Sequence, residues 1–228
     1  MEFFQSRKID SMLLINPDNP SGNYIPYDDI IRYAGWCAER GIRLIVDESF
    51  VDFSSEFPGN TLLHNTILER FPHMIVVKSI SKSFGVPGLR LGVLATSDLS
   101  LMNAMKKDVA IWNINSFAEF FMQIYGKYEN DYRKAAVKFR QERELFREEL
   151  QSVSYLNVFD SEANYFLCEV LPPFTSRGLA VKLLNRYNIL IKDCSGKKSF
   201  DGRSYIRLAV RDRKDNQRLV RALMDIQS

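Results

Sequence analysis

The run Ile42-Arg43-Leu44-Ile45-Val46 is almost continuously apolar and rich in β-branched residues. A strand of this kind has to be covered on both faces, which points to a parallel sheet flanked by helices. The preceding segment supplies one cover. Between Asp28 and Arg40, the residues Ile30, Ile31, Ala34, Cys37 and Ala38 share one face of a helix, and Gly41 is placed to stop it. The alternation recurs on either side. Ser11-Met12-Leu13-Leu14-Ile15 is a short apolar run that ends in Asn16-Pro17. A helical pattern from Leu62 to Arg70 precedes the strand pattern Met74-Ile75-Val76-Val77. Leu89 to Ala95 reads as a fourth strand, with Asp98 placed to cap the helix after it.

The pattern changes from Ser116 onward. Ser116 to Tyr128 is helical and Phe-rich, and Asp131 to Gln151 is a long charged helix. Its Tyr132, Ala136, Phe139, Arg143, Phe146 and Leu150 recur at steps of three or four and form the packing stripe. Strand-like Ala163–Cys168, a helix near Leu179–Arg186, strand-like Ile189–Ile191 and Tyr205–Val210, and a last helix from about Asn216 follow. The reading is an α/β chain: part of a mostly parallel sheet, followed by a small α+β C-terminal domain. Residues 1–130 form the partial large domain, 131–151 the connecting helix and 152–228 the small domain.

Composition narrows the function classes. The net charge of +3 is too small for the concentrated basic footprint of a nucleic-acid binder. No apolar run approaches the ~18 residues of a membrane span, and the first residues lack the pattern of a secretory signal. Three scattered cysteines without a CxxC pair argue against a disulfide framework and for a reducing, cytoplasmic setting. His64 and His73 have no cysteine or carboxylate at ligand spacing, so no metal site is expected.

Three strand ends carry polar clusters, where ligands bind in open α/β sheets. They are Asn16-Pro17-Asp18-Asn19-Pro20-Ser21-Gly22, then Asp47-Glu48-Ser49-Phe50, then the stretch from Ser79 to Gly92 that includes Ser81, Lys82 and Arg90. Together they supply an amide, a carboxylate, a lysine, hydroxyls and an arginine. Each also has an ordinary reading: an Asx turn for Asn19, a strand terminator for Asp47, a solvated turn for Lys82 and a surface arginine for Arg90.

In that order and spacing, NPDNPSG, VDESF and SISKSFGVPGLRLG resemble the class I/II aminotransferases, fold type I pyridoxal-phosphate enzymes. The resemblance runs from about Ser11 to the C-terminus. Within that family the segments resemble those of histidinol-phosphate aminotransferases and threonine-phosphate decarboxylases. It implies pyridoxal 5'-phosphate as cofactor and Lys82 as the catalytic lysine that holds it as an imine. It implies Asp47 as partner of the pyridine nitrogen, Asn19 beside the ring oxygen, and Ser79, Ser81 and Arg90 near the phosphate. Arg207, in Tyr205-Ile206-Arg207-Leu208-Ala209-Val210, matches the arginine that grips the substrate carboxylate, and Asn164 matches a position near the substrate. The chemistry suits these residue types. A carboxylate keeps the pyridine nitrogen protonated, and a planar guanidinium fork fits a carboxylate.

Phe50 stands where relatives usually have Tyr, removing a phenol from the ring oxygen. Lys192 stands where the two named kinds of enzyme have an arginine for substrate phosphate; a solvated strand-end lysine is the plain alternative. The family's N-terminal region is missing, so the chain is expected to be the C-terminal portion of a longer protein. The expected activity is aminotransfer from a small-molecule amino donor, an amino acid or amino phosphate ester, to a 2-oxo acid, in an intact homodimer without nucleic acid or membrane. The alternatives are a decarboxylase of a phosphorylated amino acid and a non-catalytic interaction domain.

Overall fold

The computed structural model describes residues 2–197, 200 and 202–227. The chain divides into two compact units: residues 1–18 with 24–135, and residues 19–23 with 136–228. The segment Asn19–Asn23 therefore packs with the second unit, although the sequence places it inside the range of the large domain.

The first unit opens with a short helix, α1 (Glu2–Gln5), and holds a sheet of four strands: β1 (Ser11–Ile15), β2 (Arg43–Asp47), β3 (Met74–Ser79) and β4 (Gly92–Ala95), in that spatial order. The first three are parallel, and β4 runs antiparallel to β3. Helix α2 (Tyr27–Glu39) links β1 to β2 and buries Ile30, Ala34 and Cys37, the apolar face of its sequence pattern. Asp28 and Asp29 in its first turn complement the helix dipole, and Gly41, at φ 66°, lets the chain leave the helix. Leu44, Val46, Met74 and Val76 complete the core beneath it. Helix α3 (Asn65–Arg70) leads into β3, and a single turn, α4 (Ile80–Ser83), follows it. The fourth strand is shorter than its sequence pattern because Pro87–Leu89 winds into a 3₁₀ turn. Asp98 caps α5 (Leu99–Asp108) by accepting from Leu101 N, and Asn115 caps α6 (Ser116–Tyr125) in the same way through Ala118 N. Trp112, between these helices, is 90% exposed.

Helix α7 (Glu129–Gln151) contains the boundary between the units, at Ala135. In the second unit, β5 (Leu156–Val158), β6 (Tyr165–Val170), β7 (Lys192–Asp193) and β8 (Tyr205–Ala209) form an antiparallel sheet in the order β5-β6-β8-β7. One face of it packs Phe166, Cys168, Ile206 and Leu208 against α7, α8 (Ser176–Tyr187) and α9 (Arg213–Gln227). The strand pattern at Ile189–Ile191 falls just before the strand itself, because only Lys192 and Asp193 pair with β8. The three cysteines are buried and free. No described helix is long and apolar enough to cross a membrane, and no described group of His, Cys, Asp or Glu could hold a metal ion.

Candidate active site

In the first unit the carboxyl ends of β2 and β3 bring Asp47, Ser49, Ser79, Ser81 and Arg90 around one open cavity of about 460 Å³. Asp47 ends β2. Its Oδ1 accepts from Ser49 N at 2.8 Å and from Ser49 Oγ at 2.5 Å. Ser49 Oγ in turn accepts from Ser79 N at 3.1 Å. With its one proton given to Asp47, this hydroxyl fixes the carboxylate and leaves Oδ2 without a partner among the described residues. Sequence reasoning overlooked Ser49, although its position two residues after the carboxylate is that of an Asx-type turn.

The serines beyond β3 differ. Ser79 Oγ has no hydrogen-bond partner among the described residues. Ser81 is buried, donates to Leu91 O at 3.3 Å and accepts from Leu91 N at 3.1 Å. Its proton is spent on shaping the loop, so Ser81 serves as a brace rather than as a ready phosphate donor. Lys82 lies on α4, exposed and without a partner among the described residues, and it is not among the residues lining the cavity. Arg90 adopts a left-handed conformation, φ 52°, uncommon for a residue with a side chain.

Beneath this rim lies a buried charge network that the sequence did not announce. Lys78 Nζ donates to Asp52 Oδ1 at 2.5 Å, and Tyr132 OH donates to Asp52 Oδ2 at 2.7 Å. Tyr132 also stacks on Phe84, two residues past Lys82, with ring centroids 4.2 Å apart. Burial, then the Asp52 charge, pushes the Tyr132 phenol up. Burial likewise pushes the Glu48 carboxyl up, against hydrogen bonds from Thr61 Oγ1 and Leu62 N. Asn16 closes its own loop: its amide accepts from Ile25 N at 2.8 Å and donates to Ile25 O at 2.9 Å. Phe50 is buried near Phe53.

In the second unit, the sheet face turned away from the helices carries Arg207. Its Nη1 donates to Asn19 Oδ1 at 2.6 Å, and its guanidinium lies 4.8 Å from the Tyr165 ring centroid. Lys192 stands directly opposite Arg207 in the β7–β8 register. Side chains so paired share a face, and like charges in that position repel. Neither cation has an ion-pair partner among the described residues. Both line a cavity of about 830 Å³, together with Asp193, Arg211 and Asn216. The nearby acids are engaged elsewhere. Asp193 accepts from Ser195 N and Oγ, both at 2.9 Å, and Asp215 pairs with Arg211 at 2.6 Å. Burial alone would raise the Asp193 carboxyl; hydrogen bonds from Ser195 and Ser176 outweigh it and hold the group below the usual range. Asn164 is half-buried at the start of β6, its carbonyl accepting from Val210 N.

The first unit's donor set suits pyridoxal phosphate: an open carboxylate oxygen for a protonated ring nitrogen, a free lysine, and Ser79 and Arg90 for a phosphate. Residues 4–223 match the family "Aminotransferase class I and II". The chain is 32% identical over 224 residues to the CMP-5'-(3-aminopropyl)phosphonate synthase of Streptomyces rubellomurinus, covering 98% of this chain and 35% of that protein. It is 30% identical over 229 residues to the L-serine phosphate decarboxylase of Campylobacter jejuni, covering 99% and 58%. A solved decarboxylase from Sulfurospirillum multivorans superposes with a TM-score of 0.90 at 30% identity, over 100% of this chain and 64% of that one. The chain thus spans from about a third to under two thirds of the length of these curated relatives.

Proposed function

The chain belongs to the class I and II aminotransferase family, whose enzymes use pyridoxal phosphate, and on that premise we propose that it serves decarboxylation of a phosphorylated amino acid. The observation that carries the reading is the Lys192–Arg207 pair. Two unpaired cations opposite each other on one sheet face suit a substrate with two anionic groups. Arg207 takes the carboxylate with its planar fork, and Lys192 takes the phosphate as a point charge. The L-serine phosphate decarboxylase likeness supports the same substrate class.

When bound, pyridoxal phosphate supplies an electron sink for the pair left as a bond to the substrate's α-carbon breaks. Lys82 Nζ would hold the cofactor and would deliver one proton to the α-carbon in place of the carboxylate lost as carbon dioxide. Asp47, steadied by Ser49, offers Oδ2 to keep a proton on the ring nitrogen. Ser79 and Arg90 bind the phosphate end, and Ser81 holds the loop that bears Arg90.

Aminotransfer is the second reading, favoured by the family as a whole. The two part at one bond. The protein is incubated with pyridoxal phosphate, carboxyl-labelled O-phospho-L-serine and a 2-oxo acid. Decarboxylation releases the label as carbon dioxide. Label retained in an oxo acid, with the amino group moved to the acceptor, would establish aminotransfer instead.

A further inference from the structure

The segment Asn19–Asn23 is fixed to the second unit at both ends. At one end, Asn19 Oδ1 accepts from Arg207. At the other, Gly22 O accepts from Glu162 N at 2.9 Å. Gly22 sits at φ 77°, and a Cβ there would lie 2.1 Å from Ser161 Oγ, 2.6 Å from Ser161 Cβ and 3.1 Å from Ser161 Cα. Only glycine allows so close an approach to backbone. Ser161 is itself fixed: its Oγ donates to Tyr165 O at 2.6 Å and accepts from Ala163 N at 3.1 Å. Tyr165 closes the ring of contacts, because its aromatic face meets the Arg207 guanidinium. Arg143, a fully buried arginine on α7, braces the same turn through Glu162 Oε2 at 2.9 Å.

We propose that Gly22, Ser161 and Arg143 form a latch of positioning residues that holds Asn19 on Arg207 and sets the site's affinity for a substrate carboxylate. An arginine fork binds a carboxylate well only when its plane is fixed. Here the Tyr165 ring fixes the plane on one side and the Asn19 amide fixes one nitrogen, and the latch holds both. The inference rests on the reading of Arg207 as the carboxylate residue.

The test has two arms. In the first, hydrogen exchange on the chain without cofactor follows the Glu162 amide. Gly22→Ala should release its protection while leaving the β6 and β8 amides protected. In the second, the chain with pyridoxal phosphate is titrated with O-phospho-L-serine and with O-phosphoethanolamine, which lacks only the carboxylate. Wild type should prefer phosphoserine, and Arg207→Ala should abolish that preference. Gly22→Ala and Ser161→Ala should each cut it about tenfold while leaving phosphoethanolamine affinity within about twofold. If Gly22→Ala fails to fold, Ser161→Ala carries both arms. Loss of preference in Arg207→Ala but not in the latch variants would overturn the latch alone. An unchanged preference in Arg207→Ala, or binding of neither compound by wild type, would overturn the reading beneath it and the latch's role with it. Unchanged Glu162 protection in both latch variants would also overturn the latch.

Discussion

The two halves of the candidate machinery are built in opposite ways. On the first unit's rim the decisive bonds are local or join neighbouring strand ends. Asp47 is held from two residues away, and Ser81 from ten. On the second unit's sheet face, Arg207 meets Asn19 across 188 positions and Lys192 through strand register. The rim needs only the β2–β3 pairing and its loops to keep its shape. The sheet face needs the register of β7 on β8 and the seating of a five-residue segment at once. Local chemistry of the first kind survives substitutions elsewhere; assembled chemistry of the second kind depends on residues that touch no ligand.

The largest expected effect tests the rim. In Asp47→Asn the amide cannot stabilise a ring-nitrogen proton as a carboxylate does, while Ser79 and Arg90 stay in place. Turnover should fall by about a hundredfold and cofactor affinity by no more than about threefold, measured by steady-state kinetics beside a cofactor titration. Equal losses in both would make Asp47 a binding residue only.

Next comes the sheet face. Lys192→Ala should weaken a phosphorylated amino acid about tenfold and leave its unphosphorylated counterpart unchanged, with the difference shrinking as salt is added. Inhibition constants for the two compounds at low and high ionic strength check this. A uniform loss would remove the phosphate assignment.

The contrast also explains what could be read from residues alone. The helix before β2, β2 itself and the long charged helix are strongly periodic, and they lie within a residue or two of their patterns. The NPDNPSG, VDESF and SISKSFGVPGLRLG segments are contiguous, so their placement at the ends of β1, β2 and β3 was legible. Features built from distant residues were not. The reversed direction of β4 depends on the 3₁₀ turn at Pro87–Leu89, which redirects the chain after α4. The role of Ser81 depends on a partner ten residues away. The docking of Asn19–Asn23 depends on Gly22 meeting Ser161, and no window of sequence contains both. Arg143 fell on the packing stripe of its helix and is buried there, but its partner Glu162 lies nineteen residues away.

The smallest expected effect concerns Glu48, buried next to Asp47 in sequence. An acid whose folded-state pKa lies above its unfolded value binds its proton more tightly in the folded chain. Its contribution to stability therefore falls as pH rises from about 4.3 through the folded value. Glu48→Gln keeps an acceptor for Leu62 N and a donor toward Thr61 while removing the titration. Its melting temperature relative to wild type should rise by about 2 °C between acid and neutral pH. A difference independent of pH would show that Glu48 does not titrate in that window.

Covalent mapping of the cofactor tests the role of Lys82 directly. The protein is mixed with pyridoxal phosphate, reduced with borohydride, digested and analysed by mass spectrometry. The pyridoxyl group should appear on Lys82 and be absent in Lys82→Ala. An adduct on Lys78, Lys192 or any other lysine, with Lys82 unmodified, would contradict that role.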